Sequence, residues 1–230
     1  MTTTRQPCAV AADLHRAAER MRAIDAELPA HDGVAIFNRV YLSVTEEITR
    51  RGAAGYFRDP SSASALAAGF ADRYLRAVEA AAAGERAPAC WRPLFQQRRH
   101  PGVSPVQFAL AGINAHVGHD LALAVVDTCT GLACRPAALE TDFERVGDVL
   151  AVLEERIRED LMPGPDLLDV ADPLTHLAGS WSLDRARDAA WAASRVLWGL
   201  RHTEGLYGEF AERLDEGVGL VGRFLLTPLG

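Results

Sequence analysis

Two residues with catalytic side chains, His116 and Asp120, lie within an otherwise apolar stretch of the chain. Residues 104–127 read SPVQFALAGINAHVGHDLALAVVD, and the i, i+4 spacing puts both side chains on one face of a helix. A helix this apolar belongs inside the protein. Polar groups placed there are costly unless they are paired, bind a ligand or react. The segment therefore predicts a buried site.

The sequence leaves three interpretations of the His116–Asp120 pair open. The carboxylate could orient the imidazole for proton transfer, which requires no cofactor. The two side chains could instead be ligands of a zinc or iron ion, with His176 as a further ligand. They could also form a buried hydrogen bond that only locks the helix. Asp172 lies four residues before His176, but Pro173 follows it, and this dipeptide is typical of a helix N-cap.

Further polar and aromatic side chains are predicted to surround this pair. Asn114 lies about 160° round the helix from His116, so we expect it to face another neighbour, such as the amide of Asn38. His119 points to a third side and is expected to be partly exposed. Two aromatic residues of a proline-rich loop could act as a lid over the pocket. The predicted substrate-binding residues are Asn38, Tyr41, Trp91, Phe95 and Asn114.

The elements that position these residues are predicted to be helices. Apolar residues recur at helical spacing, and no segment reads as a convincing strand. Capping-box patterns start two helices, at Ser104 with Gln107 and at Thr141 with Glu144. We expect one all-α domain over residues 1–230, a bundle of about seven helices around the buried central helix. The predicted helices cover residues 9–28 (the N-terminal helix, within 1–30), 33–51, 63–83, 104–127, 141–161, 182–202 and 207–224, with a short piece at 166–177 and a packed, proline-rich loop at 84–103.

Composition and charge narrow the classes of partner. The net charge is −7, and basic residues cluster only at Gln97–His100, which argues against nucleic-acid binding. The four cysteines lack the spacing of a zinc knuckle and are expected to be reduced thiols. The N-terminus has no apolar core of a signal peptide. Polar residues interrupt the apolar stretch 106–126, which favours a core helix over a membrane span. We therefore expect a cytoplasmic protein.

Several common site motifs are missing from the sequence. It contains no GxxxxGK[ST], GxSxG or HExxH pattern, which disfavours P-loop nucleotide sites, serine-hydrolase elbows and standard zincins. Glycines recur at Gly217, Gly219 and Gly222, with a spacing that is typical of close helix packing. Tryptophans near the end of the chain could serve as anchors of the core, of an apolar pocket or of a homodimer interface.

Motifs along most of the chain resemble a family of uncharacterised bacterial helical domains, a domain of unknown function. The resemblance covers about residues 30–205 and implies the helical fold and the choice of site residues, but no reaction. The segments that carry it are FNRVYLSVTEEI from Phe37, FxDP at Phe57–Pro60, FAxRYL from Phe70, the pattern of Gly112, Asn114, His116, Asp120 and Leu121, and WSxxxARxxAW from Trp181 to Trp191.

These observations favour an enzyme that acts on an apolar small molecule. A helical pocket with one acid–base pair suits a cyclisation, isomerisation or elimination, a step typical of specialised metabolism, because such a step needs shape and one well-placed proton donor or acceptor. A metal-dependent hydrolase or oxygenase with His116, Asp120 and His176 as ligands is the second hypothesis. A non-catalytic helical binding or dimerisation module is the third.

Overall fold

The chain folds as a bundle of helices. The computed structural model describes residues 7–161 and 182–228, with side chains described over 12–150 and 182–228. This part of the chain contains no strand, so the all-α prediction is confirmed. The predicted short helix at 166–177 lies outside the described residues.

The helices are α1 (Pro7–Glu27), α2 (Gly33–Ala53), α3 (Pro60–Ala82), α4 (Arg92–Gln97), α5 (Pro105–Ala115), α6 (Leu121–Gly131), α7 (Glu140–Leu161), α8 (Leu183–Leu200) and α9 (Glu204–Leu225). A π-helical turn (His116–Asp120) joins α5 to α6, and a 3-10 turn (Pro136–Ala138) precedes α7.

Local capping signals explain where several helices begin. The Asp32 carboxylate accepts the Val34 amide at 2.9 Å before α2, and Asp59 caps α3 in the same way. Side-chain oxygens at these positions satisfy amides that have no partner within the helix. The predicted capping box at Thr141 is wrong, because α7 already begins at Glu140.

The central helix comprises α5, the π-helical turn and α6, and runs from Pro105 to Gly131. Its α5 part packs against α2 and α9, and its α6 part packs against α3 and α8. It is long and apolar enough to cross a membrane by length and composition alone, but 83% of its most apolar window is buried inside the protein. It is therefore packed as the core helix of the bundle.

Close approach between helices depends on glycine at two places near the site. A β-carbon at Gly112 would lie 2.3 Å from the ring of Phe37. Helix α2 can therefore pack this closely on α5 only because residue 112 has no side chain. A β-carbon at Gly219 would lie 2.5 Å from the carbonyl oxygen of Ala89. Gly219 therefore packs closely, although against the turn before α4 and not against another helix, whereas Gly217 faces open space.

The proline-rich stretch 84–103 is part of the core, as predicted, although it is not wholly irregular. It contains the short helix α4, which the sequence did not predict. Trp91 and Leu94 are fully buried. Gln107 ties the start of α5 to the end of the chain, since its side-chain amide donates to the carbonyl oxygens of Leu225 and Thr227, both at 2.8 Å.

Candidate functional site

The π-helical turn is the local feature that builds the candidate site. Within it the Leu121 amide donates to the carbonyl oxygen of His116, five residues earlier, instead of the four of a regular α-helix. Within this turn, Nδ1 of His119 lies 2.8 Å from Oδ1 of the neighbouring Asp120. The expectation that His119 is partly exposed is therefore wrong; the residue is only 6% exposed. Single π-helical turns occur frequently at functional sites.

Asp120 is the centre of the resulting network. Its Oδ2 accepts the indole N–H of Trp91 at 2.9 Å and lies 3.1 Å from Nδ1 of His116. Burial alone would raise the pKa of Asp120, but the hydrogen bonds from His116 and His119 outweigh it and lower that pKa to about 2. An ionised carboxylate can only accept hydrogen bonds, so Nδ1 of each imidazole carries the proton.

His116 consequently presents its second ring nitrogen, Nε2, without a proton. This atom is buried and has no hydrogen-bond partner among the described residues. Burial lowers the pKa of His116, while the hydrogen bond and the charge of Asp120 oppose that change. Unpaired buried polar atoms are rare and need an explanation. The site therefore holds one free, desolvated proton acceptor.

Aromatic rings enclose the His116 imidazole. The ring of Phe70 stacks on it, with centroids 3.5 Å apart and planes 4° apart, and the ring of Tyr41 meets it edge-on at 4.3 Å. Phe37, Tyr74 and Trp91 complete the enclosure, with ring centroids 5.9–6.1 Å from that of the imidazole. Water is thereby kept from the ring.

An apolar cavity of about 60 Å³ lies on the other side of two of these rings. Tyr41 and Phe70 form part of its wall, whereas His116 and Asp120 do not. The pair therefore does not line this cavity, because the rings of Tyr41 and Phe70, which contact the imidazole, form the wall on that side. That the pair lines a pocket stays a prediction. The remaining wall is mostly apolar and includes Val44, Leu66, Val117, Leu121, Leu139 and Phe143.

The two residues expected to form a lid are placed differently. Trp91 has no exposed surface and is fixed by its hydrogen bond to Asp120, so the expectation of a lid is wrong for this residue. Phe95 is half-buried and stacks on Trp91 with 5.9 Å between the ring centroids. The loop thus supplies a wall of the site.

The two predicted amide supports tie helices together instead of meeting each other. The Asn38 side chain donates to the carbonyl oxygen of Met21 at 2.8 Å and accepts the hydroxyl of Tyr74 at 3.1 Å. Asn114 donates to the carbonyl oxygen of Val218 at 3.0 Å. The expected pairing of Asn114 with Asn38 is therefore wrong. Of the alternative metal ligands, His176 lies outside the described residues.

The structure adds two residues that the sequence analysis missed, Cys90 and Asp215. The Asp215 carboxylate accepts the backbone amides of Ala89 and Cys90 at 2.7 and 2.9 Å, and it lies 3.9 Å from Nε2 of His119. Burial, followed by the charges of Asp120 and Asp215, raises the pKa of the Cys90 thiol. No spacing or periodicity connects these residues in the sequence.

The fold and site define an all-helical protein with a buried His–Asp centre on a π-helical turn. The profile of a family of unknown function, DUF5995, matches residues 14–228, and the chain belongs to that family. The match extends beyond residues 30–205, over which the motifs were recognised. No curated protein and no solved structure matches the chain.

Proposed function

We propose that this protein is an enzyme that transforms an apolar small molecule by proton transfer at His116, in a cyclisation, isomerisation or elimination. The observation that carries the proposal is the state of the imidazole. Its Nδ1 is held by Asp120, and its Nε2 is buried without a partner. A carboxylate that fixes the tautomer of a histidine prepares the opposite nitrogen to accept a proton.

The apolar cavity is the proposed entry point of the substrate. A cavity of about 60 Å³ is smaller than the roughly 150 Å³ that holds benzene, so a substrate has to displace part of the wall. Phe70 is the wall residue that stacks on His116. Its displacement would open the cavity to the imidazole, and the substrate would replace the ring as its neighbour.

The binding half of the proposal is tested with small aromatic probes. Phe70→Ala removes the ring between the cavity and His116, so we expect this variant to bind benzene and indole in calorimetric titrations. Phe95→Ala is the matched control, because Phe95 stacks on Trp91 and lies outside the cavity wall. Equal binding by both variants, or by neither, would contradict the proposed entry point.

The chemical half is tested by turnover in D₂O. The protein is incubated with a library of unsaturated apolar compounds, and mass spectrometry detects isomers or products that have gained deuterium from the solvent. His116→Gln should lose about 10²- to 10⁴-fold in rate, the usual contribution of a general base. His202→Gln is the control, since His202 is exposed.

A purely structural pair would behave differently. The Asp120 carboxylate satisfies three hydrogen-bond donors, and this arrangement also favours a role in locking α4 against the central helix. In that case His116→Gln and Asp120→Asn lower the melting temperature while turnover of the folded fraction persists. Loss of turnover at a nearly unchanged melting temperature supports catalysis instead.

A further inference from the structure

Beside the proposed proton acceptor, three potential metal ligands meet in the core. One ligand atom each from Cys90, His119 and Asp120 lie within 4.8 Å of one another, and all three residues are buried. We propose that these three side chains bind one zinc ion. The set differs from the one expected from the sequence, which combined His116 and Asp120 with His176.

The charge of the cluster favours a cation. Asp120 is 2% exposed, and the side chain of Asp215 nearby is 21% exposed. Neither carboxylate forms an ion pair with an arginine among the described residues, and the chain contains no lysine. Buried charges are normally paired or bound to metals. Among the residues that the structure describes, Asp120 is bound by two imidazoles and an indole, which leave its negative charge uncompensated when they are neutral.

The chemistry and spacing of the ligand atoms favour zinc. A thiolate, an imidazole nitrogen and a carboxylate oxygen are its usual ligands, at about 2.0–2.3 Å from the ion. In a tetrahedral site, ligand atoms at these bond lengths lie about 3.3–3.8 Å apart. Small side-chain rotations therefore have to shorten the longer separations, which reach up to 4.8 Å, and widen the 2.8 Å between Nδ1 of His119 and Oδ1 of Asp120. Magnesium and calcium prefer oxygen ligands, and the cysteine disfavours them.

The surrounding residues already form the outer shell of such a site. With Nδ1 of His119 bound to the ion, Nε2 carries the proton and lies 3.9 Å from the Asp215 carboxylate. Metal-bound histidines usually direct their second nitrogen at a carboxylate in this way. Asp215 also holds the backbone amide of Cys90 at 2.9 Å. On the opposite side, Trp91 fixes the second oxygen of Asp120.

Binding is accompanied by release of one proton. The S–H bond of Cys90 breaks, its electron pair forms the Zn–S bond, and the proton leaves to the solvent, without any change of oxidation state. The proton on Nδ1 of His119 moves to Nε2 of the same ring, and Asp120 is already ionised. Zinc affinity should therefore rise with pH.

The experiment uses the full chain, stripped with a chelator and titrated with Zn²⁺ by calorimetry and with Co²⁺ by absorption spectroscopy. We expect one Zn²⁺ per chain and a thiolate-to-cobalt charge-transfer band. Cys90→Ser should abolish the band. Asp215→Asn changes only the outer shell and should weaken Zn²⁺ binding about 10- to 100-fold. His202→Gln is the control and should bind like the wild type.

A second variant keeps the test decisive if Cys90→Ser fails to fold. The triple variant Cys8→Ser, Cys129→Ser and Cys134→Ser retains Cys90 as its one thiol, so the cobalt band must persist in it. The proposal is overturned if the wild type binds no Zn²⁺, if the band survives Cys90→Ser, or if the triple variant lacks it. These measurements use no substrate, so their outcome is separate from that of the turnover experiment.

Discussion

Two glycines of α9 offer a matched test of how closely this helix packs on the segment that carries Cys90. At Gly219 a β-carbon would lie 2.5 Å from the carbonyl oxygen and 2.9 Å from the carbonyl carbon of Ala89. These are backbone atoms that no side-chain rotation can move aside. At Gly217, two residues earlier on the same helix, a β-carbon would meet no atom within 4 Å.

The expected magnitudes follow from two opposing effects. Alanine stabilises the interior of a helix by about 0.5–1 kcal/mol relative to glycine, so Gly217→Ala should raise the free energy of unfolding by that amount. Gly219→Ala has the same gain but forces an overpacked contact, which costs about 1–3 kcal/mol. The two variants should therefore differ by about 1–3 kcal/mol, with Gly219→Ala the less stable.

Urea unfolding followed by circular dichroism measures this difference directly. Both substitutions are glycine to alanine on one helix, so changes in composition and in the unfolded chain cancel in the comparison. If Gly219→Ala stabilises the protein as much as Gly217→Ala does, α9 does not approach residue 89 this closely. That result would also contradict the placement of Asp215 beside Cys90 and His119.

Three further predictions concern the core. Trp91→Phe removes the indole N–H that donates to Asp120, and urea unfolding should show a loss of about 1.5–3 kcal/mol, as for hydrogen bonds to charged groups. Leu121→Ala deletes a core side chain of the central helix and should cost about 2–5 kcal/mol in the same assay. Burial and the neighbouring Cys134 raise the pKa of Cys129 to about 12. In the native protein, iodoacetamide should therefore modify the half-buried Cys134 before Cys129, and mass spectrometry of the peptides measures this order.

Controls and contrary outcomes are available for each of these. Trp198→Phe changes a half-buried indole away from Asp120, and an equal loss there would show that the Trp91 hydrogen bond contributes nothing specific. Val221→Ala truncates an exposed side chain and should stay within about 0.5 kcal/mol. A loss that small for Leu121→Ala would mean that the central helix is peripheral. Alkylation of Cys129 before Cys134 would contradict the burial of Cys129.

The helices were predictable because their signals are local. Caps such as Asp32 act within one turn, and the all-round apolar character of residues 105–126 required burial wherever the neighbours lay. The contact between His116 and Asp120 follows from their spacing along one helix. What the sequence determined by itself was therefore the helical class, most helix boundaries, the buried central helix and one pair of its site.

Only the tertiary structure decided which other residues join that pair. A helical period of 3.6 residues places His119 on another side, but residues His116–Asp120 form a π-helical turn, in which His119 contacts Asp120. Cys90 and Asp215 are 125 residues apart and meet because α9 packs on the loop before α4 at Gly219. Periodicity specifies which residues share a face of one helix. Periodicity does not specify how helices that are distant in the sequence are oriented relative to each other, and this orientation brings the residues of the site together.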